Sequence, residues 1–263
     1  MSNPVVWASL PTAVDVIGAI PDKGVVYYCG DDFGALNGVD HKPVLGCEKR
    51  LADRADLILA SSEYLCAKFD AVRTRYLPHG VDLCRFSTPT ARADDLPEGN
   101  KIAGFYGSIS AWLDIDLMHK TACLLPDWQF VFVGNVTIDV SVLESLSNVV
   151  FLGPKKHADL PGYVQHWTAS LLPFVDSAQI RACNPLKLRE YMAAGRPVIA
   201  TPFPALDPYL EYISVARTPK AFASELQKVA TESPFRSNCR SQAVSGEDWK
   251  ARAKELGGWL DAI

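Results

Sequence analysis

Residues 184–201 read NPLKLREYMAAGRPVIAT, and this stretch predicts a helix that leads directly into a buried strand. Asn184 is a residue type favoured at a helix N-cap, and Pro185 is a type favoured at the first helical position. Gly195 stands where a helix commonly ends in the left-handed conformation. We therefore expect a helix over about residues 185–194, followed by the strand PVIAT.

The same succession of strand and helix is repeated through the second part of the chain. Short apolar runs, several of them ending in glycine, alternate with segments of helical spacing, which indicates βαβ units and a parallel sheet. The runs are continuously apolar, as expected where helices cover both faces of a sheet. The predicted strands are KIAGFYG (101–107), WQFVFVG (128–134), NVVFLG (148–153), ASLLPF (169–174), PVIAT (197–201) and YISVA (212–216).

The first part of the chain contains fewer elements of the same kind. Its predicted strands are PVVWASL, GVVYYCG, DLILAS and TRYLP, and residues 79–100 are rich in turn formers without an apolar period. We predict an α/β fold with Rossmann-like parallel sheets in two parts. A partial N-terminal domain with the start of a linker covers 1–88, a linker covers 89–100, and a nearly complete C-terminal domain with the last helix covers 101–263.

Composition excludes several classes of protein. The chain has 263 residues, 48% of them hydrophobic, a formal net charge of -4 and a pI of about 5.7, which argues against a nucleic-acid partner. Its seven cysteines form no C-x-x-C pair and its five histidines no H-E-x-x-H motif, so we expect reduced thiols and no metal site. No run approaches the ~20 apolar residues of a membrane span, and no basic leader precedes the first apolar stretch. We expect a cytoplasmic protein.

The helix predicted after ASLLPF begins at the edge of the sheet where open parallel folds bind ligands. The free N–H groups and the positive dipole end of such a helix suit a phosphate. Lys187 lies in the first turn, and Glu190 follows three residues later on the same face, where a carboxylate would accept ribose hydroxyls. The alternative is a surface ion pair worth a few tenths of a kcal/mol, and these residues alone leave both interpretations open.

Several motifs, in their order along the chain, resemble GT-B glycosyltransferases of the bacterial group 1 type. NPLKLREYMAAGRPVIAT resembles the donor-site signature that often ends E-A-M-A-x-G-x-P-V-I-A in that group. ADLILASSEYLCAKF followed by YLPHGVDLCRF resembles the end of the first domain, and IAGFYGSIS with WQFVFVG resembles the first two strands of the donor domain. The resemblance implies transfer of a sugar from a UDP- or GDP-sugar to a hydroxyl acceptor, without an obligatory cofactor or metal.

The resemblance also assigns roles to individual residues of the second domain. Glu190 corresponds to the glutamate that binds the donor ribose, and Lys187 to a basic residue near the diphosphate. The remaining implied donor-binding residues are Asn184 and Leu186 at the helix tip, Gly107 and Ser108 in the loop after the first donor strand, and Lys155 in the base-binding loop GPKKHADL. We expect His157 in that loop, like the other histidines, to be a surface or structurally satisfied residue.

The sequence also departs from the family pattern. Ala182 occupies the place of a second glutamate that contacts the transferred sugar, and GSISAWLD lacks the usual basic residue, for which Arg181 is the candidate substitute. Compared with the family pattern, we expect the first domain to be only partly present, so a second polypeptide or an oligomer that completes the acceptor domain is one alternative. A nucleotide-sugar-binding protein that is inactive or depends on a partner is another, and a sugar-nucleotide epimerase is a third.

The first part of the chain supplies candidates for the acceptor side. Asp31 and Asp32 follow the strand GVVYYCG, and we take Asp32 as the candidate general base for the acceptor hydroxyl, the alternative being a turn-forming acid. The basic helical stretch at 41–54 suggests peripheral contact with the inner face of a membrane, where a lipid-linked acceptor would lie. A solvated helix face is the alternative interpretation.

Overall fold

The computed structural model describes residues 4–19 and 21–263 of the chain. Its strands in chain order are β1 (Val5–Ala8), β2 (Gly24–Cys29), β3 (Leu57–Ala60), β4 (Thr74–Tyr76), β5 (Ile102–Tyr106), β6 (Gln129–Val133), β7 (Val149–Gly153), β8 (Ala169–Leu172), β9 (Val198–Ala200) and β10 (Ser214–Val215).

The α-helices lie between these strands and after the last of them. In chain order they are α1 (Val14–Ile17), α2 (His41–Arg54), α3 (Glu63–Cys66), α4 (Leu83–Ser87), α5 (Ile115–Leu124), α6 (Ser141–Glu144), α7 (Pro161–Val164), α8 (Ala178–Ala182), α9 (Leu186–Ala193), α10 (Pro219–Val229), α11 (Pro234–Ala243) and α12 (Trp249–Leu260). Short 3-10 helices occur at Pro11–Ala13, His157–Asp159 and Pro204–Tyr209.

The chain forms two compact units. The first unit contains the chain up to Gly80 together with Ser177–Pro185 and Trp249–Ile263. The second unit contains Val81–Asp176 and Leu186–Asp248. Each unit is built around its own parallel sheet, so the predicted α/β class with two Rossmann-like sheets is confirmed.

The sheet of the first unit has, among the described residues, four parallel strands in the order β1-β2-β3-β4. One face packs Val25, Tyr27 and Ile58 against helix residues such as Leu51, and all of these side chains are fully buried. Burying an aliphatic or aromatic side chain of this size contributes about 1.5–3 kcal/mol relative to exposure. Continuous apolar strands therefore give this unit a core of its own.

The opposite face of that sheet is covered by the C-terminal helix. Leu256, Trp259 and Leu260 of α12 pack against Val26, Leu57, Leu59 and Leu77. The prediction that placed this helix in the C-terminal domain is therefore wrong. The physical reason is that strands β2 and β3 are apolar on both faces, and the apolar stripe of α12 covers the second face.

The sheet of the second unit has the order β10-β9-β8-β5-β6-β7 among the described residues, with all pairs parallel. The chain runs outward from β5 to β7 and then returns to the other side of β5 with β8. Ligands of open α/β sheets bind outside the carboxyl ends of the strands at such a reversal of strand order. This topology directs attention to the loop after β5 and to helix α9, which follows β8 and α8 in the chain.

Local signals in the sequence set several helix ends. Asp114 accepts a hydrogen bond from the Leu117 N–H at the start of α5, and Thr218 accepts one from the Ala221 N–H at the start of α10. Gly195 after α9 has a φ of 70°, as the left-handed ending predicts. A Cβ at Gly195 would lie 2.1 Å from Oγ of Ser237, so glycine is required there for space as well.

The predicted boundaries differ from those of the structure. The segment predicted as the linker, residues 89–100, contains no helix or strand, but it belongs to the second unit, which begins at Val81. Two kinds of contact fix this segment to the second unit. The Gln165 side chain accepts a hydrogen bond from the Thr90 N–H and donates one to the Thr88 carbonyl, and Leu96 is buried. Four α-helices of the described residues were not predicted: α1, α4, which is capped by Asp82, α8, which is capped by Ser177, and α11.

Candidate functional site

Two glycine turns form the floor of the candidate site at the carboxyl ends of β5 and β6. Gly107 has a φ of 130° and Gly134 a φ of 148°, which side chains other than glycine rarely adopt. A Cβ at Gly134 would lie 1.9 Å from the Gly107 carbonyl oxygen, so the two turns approach each other at backbone distance. The predicted loop of Gly107 and Ser108 is therefore compact, and the Ser108 side chain beyond it is exposed.

Lys187 lies against this glycine turn. A Cβ at Gly107 would lie 2.3 Å from Cε of Lys187, and Nζ of Lys187 lies 5.8 Å from the centre of the Phe105 ring. The absence of a side chain at position 107 is what leaves room for the lysine. Leu186, the first residue of α9, is half-buried next to it. The structure thus brings Gly107, Lys187 and the N-terminal turn of α9 together.

Glu190 lies one turn further along α9 and is buried. Its side chain is 3% exposed, and both of its carboxylate oxygens have partners. Oε2 accepts a hydrogen bond from the Tyr106 hydroxyl, and Oε1 lies 2.7 Å from Nε2 of His157. Glu190 therefore is not the surface partner of Lys187, and that alternative is excluded by the geometry.

Tyr106 is enclosed by other aromatic rings. It stacks on Phe86 and on Trp167 and meets Tyr191 edge-on, with ring centres 6.5, 6.2 and 4.9 Å away. Burial, reinforced by the nearby charge of Glu190, raises the pKa of Tyr106 well above its ordinary value. The hydroxyl therefore keeps its proton and donates to Glu190.

Sequence reasoning missed both partners of Glu190. Tyr106 was predicted only as part of a strand, although its place directly before the Gly107 turn put it at the carboxyl end of β5. His157 was expected to be a surface or structurally satisfied residue, and its side chain is 52% exposed while it contacts the buried carboxylate. Its place in the predicted base-binding loop was the available signal.

The side chain of Lys155 is engaged elsewhere in the second unit. Its ammonium forms an ion pair with Asp95 at 2.5 Å and lies 5.9 Å from the centre of the Tyr163 ring. The hydrogen bond to Asp95 raises the pKa of Lys155. The structure therefore does not bring the Lys155 side chain to Glu190, and only the backbone of its loop remains a candidate for contact with a base.

Three further positions singled out in the sequence belong to the first unit. Asn184 is buried, and its amide donates to the Tyr76 hydroxyl at 3.3 Å. Arg181 is exposed in the last turn of α8. Ala182 is fully buried in the core of that unit, and its carbonyl accepts a hydrogen bond from Ser62. The position at which the family resemblance implies a glutamate in contact with the transferred sugar is here a packing position.

Asp32 is part of an ion-pair network in the first unit. Its Oδ1 lies 2.9 Å from Nζ of Lys68, and it accepts a hydrogen bond from the Gly34 N–H. The same lysine lies 3.0 Å from Glu48, which is 4% exposed and also accepts from the Tyr27 hydroxyl. Asp32 is thereby fixed as the partner of a cation.

Asp31 differs from its neighbour. Its side chain is exposed at the carboxyl end of β2. Loss of hydration beside the sheet, followed by the charge of Asp32, raises the pKa of Asp31. Because the side chain is exposed, screening by solvent weakens this effect. The direction of the shift favours proton uptake by Asp31.

An aromatic row was not predicted in the first unit. Trp7 stacks on Tyr28 with ring centres 5.8 Å apart, the Tyr28 hydroxyl lies 3.3 Å from Nδ1 of His79, and the His79 and Trp249 rings lie 6.5 Å apart. Trp7 and Trp249 are 43% and 49% exposed. Both indole rings therefore present apolar surface to solvent.

The described part of the chain, residues 4–19 and 21–263, contains no group of three or more His, Cys, Asp or Glu side chains placed to hold a metal ion. It also contains no helix with the length and apolar character needed to cross a membrane.

Comparison with known proteins agrees with the fold. Crystal structures of Anabaena HepE with UDP-glucose and of the sucrose-phosphate synthase of Thermosynechococcus elongatus both superimpose with a TM-score of 0.77. The identities are 16% and 18%, and each match covers 98% of this chain and 79% and 73% of the respective structure. At such identities these likenesses bear on the fold alone.

Sequence comparison gives the family. The "Putative teichuronic acid biosynthesis glycosyltransferase TuaH" of Bacillus subtilis (strain 168) is 28% identical over 260 residues, covering 88% of this chain. The match spans 65% of that relative's length, which is less than two thirds. The family described as "Glycosyl transferases group 1" matches residues 100–232, or 133 of the 263 residues. This family gives no support to the epimerase alternative. With the family match covering just over half of its length, the chain belongs to the group 1 glycosyl transferases.

Proposed function

We propose that this protein transfers a sugar from a nucleoside diphosphate sugar to a hydroxyl acceptor in polysaccharide or glycolipid biosynthesis. The observation that carries the proposal is the placement of Lys187 against the Gly107 turn, with the Glu190 carboxylate one turn further on. A cation beside the N-terminal turn of a helix suits a diphosphate, and a carboxylate suits two ribose hydroxyls. The family and the TuaH relative support the same activity.

In the proposed mechanism the second unit stabilises the leaving group. The bond between the anomeric carbon and the phosphate oxygen breaks, and negative charge develops on the diphosphate. Lys187 and the N-terminal dipole of α9 are positioned to stabilise that charge as it forms, which is the contribution that lowers the barrier. Gly107 serves the same end because it leaves room for Lys187 and exposes backbone to the ligand.

On the acceptor side, we propose Asp31 of the first unit as the general base. The acceptor oxygen forms a bond to the anomeric carbon, and its proton passes to the carboxylate. The exposed rings of Trp7 and Trp249 offer apolar faces on which sugar rings can stack. A sugar or a lipid-linked saccharide is the proposed acceptor.

The donor nucleotide is proposed to be UDP or GDP. HepE was crystallised with UDP-glucose, which makes UDP-glucose the first ligand to test. The experiment is a thermal-shift panel of UDP- and GDP-sugars, followed by calorimetry and by assays of transfer to sugar acceptors. A ligand present at 100 times its Kd stabilises the fold by about 2.7 kcal/mol. Absence of stabilisation by every nucleotide sugar would contradict the proposal.

A second candidate is a protein that binds nucleotide sugars without transferring them alone. The observation that favours it is the buried alanine at position 182, where many relatives hold a carboxylate that contacts the transferred sugar. Binding without turnover, or turnover only after a second polypeptide is added, would support this candidate. Release of free sugar or of a glycoside by the purified chain would exclude it.

We also propose peripheral membrane contact through α2. Arg50 and Arg54 of that helix form ion pairs with Asp15 and Asp22, which reduces the positive charge offered to a lipid surface. Lys42, Leu45 and Lys49 are exposed on the same helix. Co-sedimentation with vesicles containing phosphatidylglycerol tests the contact, and the loss of sedimentation on neutral vesicles would be the expected control.

A further inference from the structure

The two hydrogen-bond partners of Glu190 differ in how easily they can leave. Tyr106 is 4% exposed and is packed against three other aromatic rings, and its backbone N–H donates to the Tyr191 hydroxyl. The His157 side chain is 52% exposed and lies on a one-turn 3-10 helix after β7. Moving Tyr106 would disrupt the core, whereas moving His157 would break one hydrogen bond and an edge contact with Phe86.

The buried state of Glu190 conflicts with free access of a ligand. With 3% of its side chain exposed, the carboxylate is covered, and Oε1 is held by His157 at 2.7 Å. A carboxylate accepts hydrogen bonds and does not donate them, so the imidazole must present its Nε2–H to Glu190. A ribose hydroxyl is a donor of the same kind and would compete for the same oxygen.

We propose that His157 is a displaceable latch over Glu190, and that the ribose of the donor nucleotide opens it by taking the place of the imidazole at Oε1. The proposal rests on the proposed function, because it requires that Glu190 bind the ribose. Tyr106 remains bonded to Oε2 and keeps the carboxylate in position during the exchange. His157 thus sets the affinity for the nucleoside part of the donor.

The latch makes donor affinity depend on the fraction of molecules in which it is open. When only a fraction of the protein is competent to bind, the apparent Kd exceeds the intrinsic Kd in inverse proportion to that fraction. The hydrogen bond from His157 to the Glu190 carboxylate stabilises the closed latch, and a bond of this kind lowers the fraction of molecules with an open latch by about tenfold. Ligands without ribose hydroxyls do not need Glu190, so their affinity is independent of the latch.

The test is calorimetric titration of the full chain with UDP and GDP and with their 2′,3′-dideoxy analogues. His157→Ala is expected to lower the Kd of whichever nucleotide the wild type binds by about tenfold, and to leave the Kd of the dideoxy analogue unchanged. His157→Gln retains an N–H donor and is expected to keep the wild-type Kd. His119→Ala, at a half-buried position on α5, is the matched control and is expected to change neither Kd.

Two results separate failure of the latch from failure of the proposed function. A wild type that binds a nucleotide, together with a His157→Ala variant of equal or weaker affinity, overturns the latch alone. A wild type that binds neither nucleotide overturns the proposed function and the latch with it. If His157→Ala does not fold, the NMR signal of His157 in the wild type replaces it: the signal must shift with the nucleotide and stay unchanged with the dideoxy analogue.

Discussion

Two buried carboxylates near the ends of parallel strands make an instructive comparison. Glu48 of the first unit is paired with the Lys68 ammonium, which also holds Asp32. Glu190 of the second unit is held by a tyrosine hydroxyl and by an imidazole. A lysine partner forms an ion pair whose loss leaves a buried charge, whereas a hydroxyl or imidazole donor can be exchanged for the hydroxyls of a ligand. The first arrangement holds structure and the second is suited to binding.

The largest expected effect concerns Asp31, the neighbour of the Asp32 carboxylate that pairs with Lys68. Asp31→Asn should lower the transfer rate by about 10²–10⁴-fold, because it removes the proposed base. Asp32→Asn should have a smaller effect, since Asp32 is fixed by Lys68. The pKa of Asp31 is raised, so its carboxylate takes up a proton at a higher pH than an ordinary aspartate does. In the wild type the transfer rate should therefore fall with decreasing pH, with a midpoint above about 3.9, the ordinary pKa of aspartate. Steady-state rates over pH check both statements, and a greater loss in Asp32→Asn would reverse the assignment.

The second prediction addresses the structural half of the comparison. Lys68→Met should lower the free energy of unfolding by about 3 kcal/mol, because Glu48 is then left buried without its cation. Lys49→Met on the exposed side of α2 is the matched control and should change it by less than about 0.5 kcal/mol. Urea denaturation followed by tryptophan fluorescence measures both. Equal stability of the two variants would show that the Lys68 network is not structural.

The third prediction addresses the binding half. Glu190→Gln keeps the size of the side chain but removes the charge that accepts two hydrogen bonds, so the Kd for the donor should rise by about 30–100-fold. The variant should bind inorganic pyrophosphate as the wild type does, because pyrophosphate has no ribose. Calorimetry with both ligands makes the distinction. An equal loss of affinity for the donor and for pyrophosphate would mean that the Glu190 carboxylate maintains the fold of the site and does not bind the ribose.

The smallest expected effect separates the two lysines singled out in the sequence. Lys187→Met should raise the Kd for the donor by about tenfold at low salt, and by less at high salt, because the charge of this half-buried lysine is still partly screened. Lys155→Met should leave the Kd within about threefold, since its ammonium is bound to Asp95. Titrations at two salt concentrations measure the difference. A larger loss in Lys155→Met would shift the phosphate site toward the base-binding loop.

Most of the fold could be predicted because each signal was local. Continuous apolar runs marked the strands, and the end of α9 at Gly195 followed from a residue preference. Short helices such as α4 and α8 were missed because helices of about one turn have almost no periodicity to detect. The boundary at residues 89–100 was misplaced because a segment rich in turn formers can be fixed to a core by a few side chains such as Gln165.

For the candidate site too, some features followed from the sequence and others only from the tertiary structure. The sequence by itself determined the α/β class, the family, and the presence of a lysine and a glutamate one turn apart on α9, because these depend on residue types at fixed spacing. Only the tertiary structure decided which side chains meet: His157 and Tyr106 approach Glu190 from other strands and loops, 33 and 84 residues away along the chain. It also decided that Lys155 and Asp32 are held by partners, and that α12 covers the first sheet. Contacts between distant residues depend on how the strands are ordered and packed, and no local pattern in the sequence encodes that order.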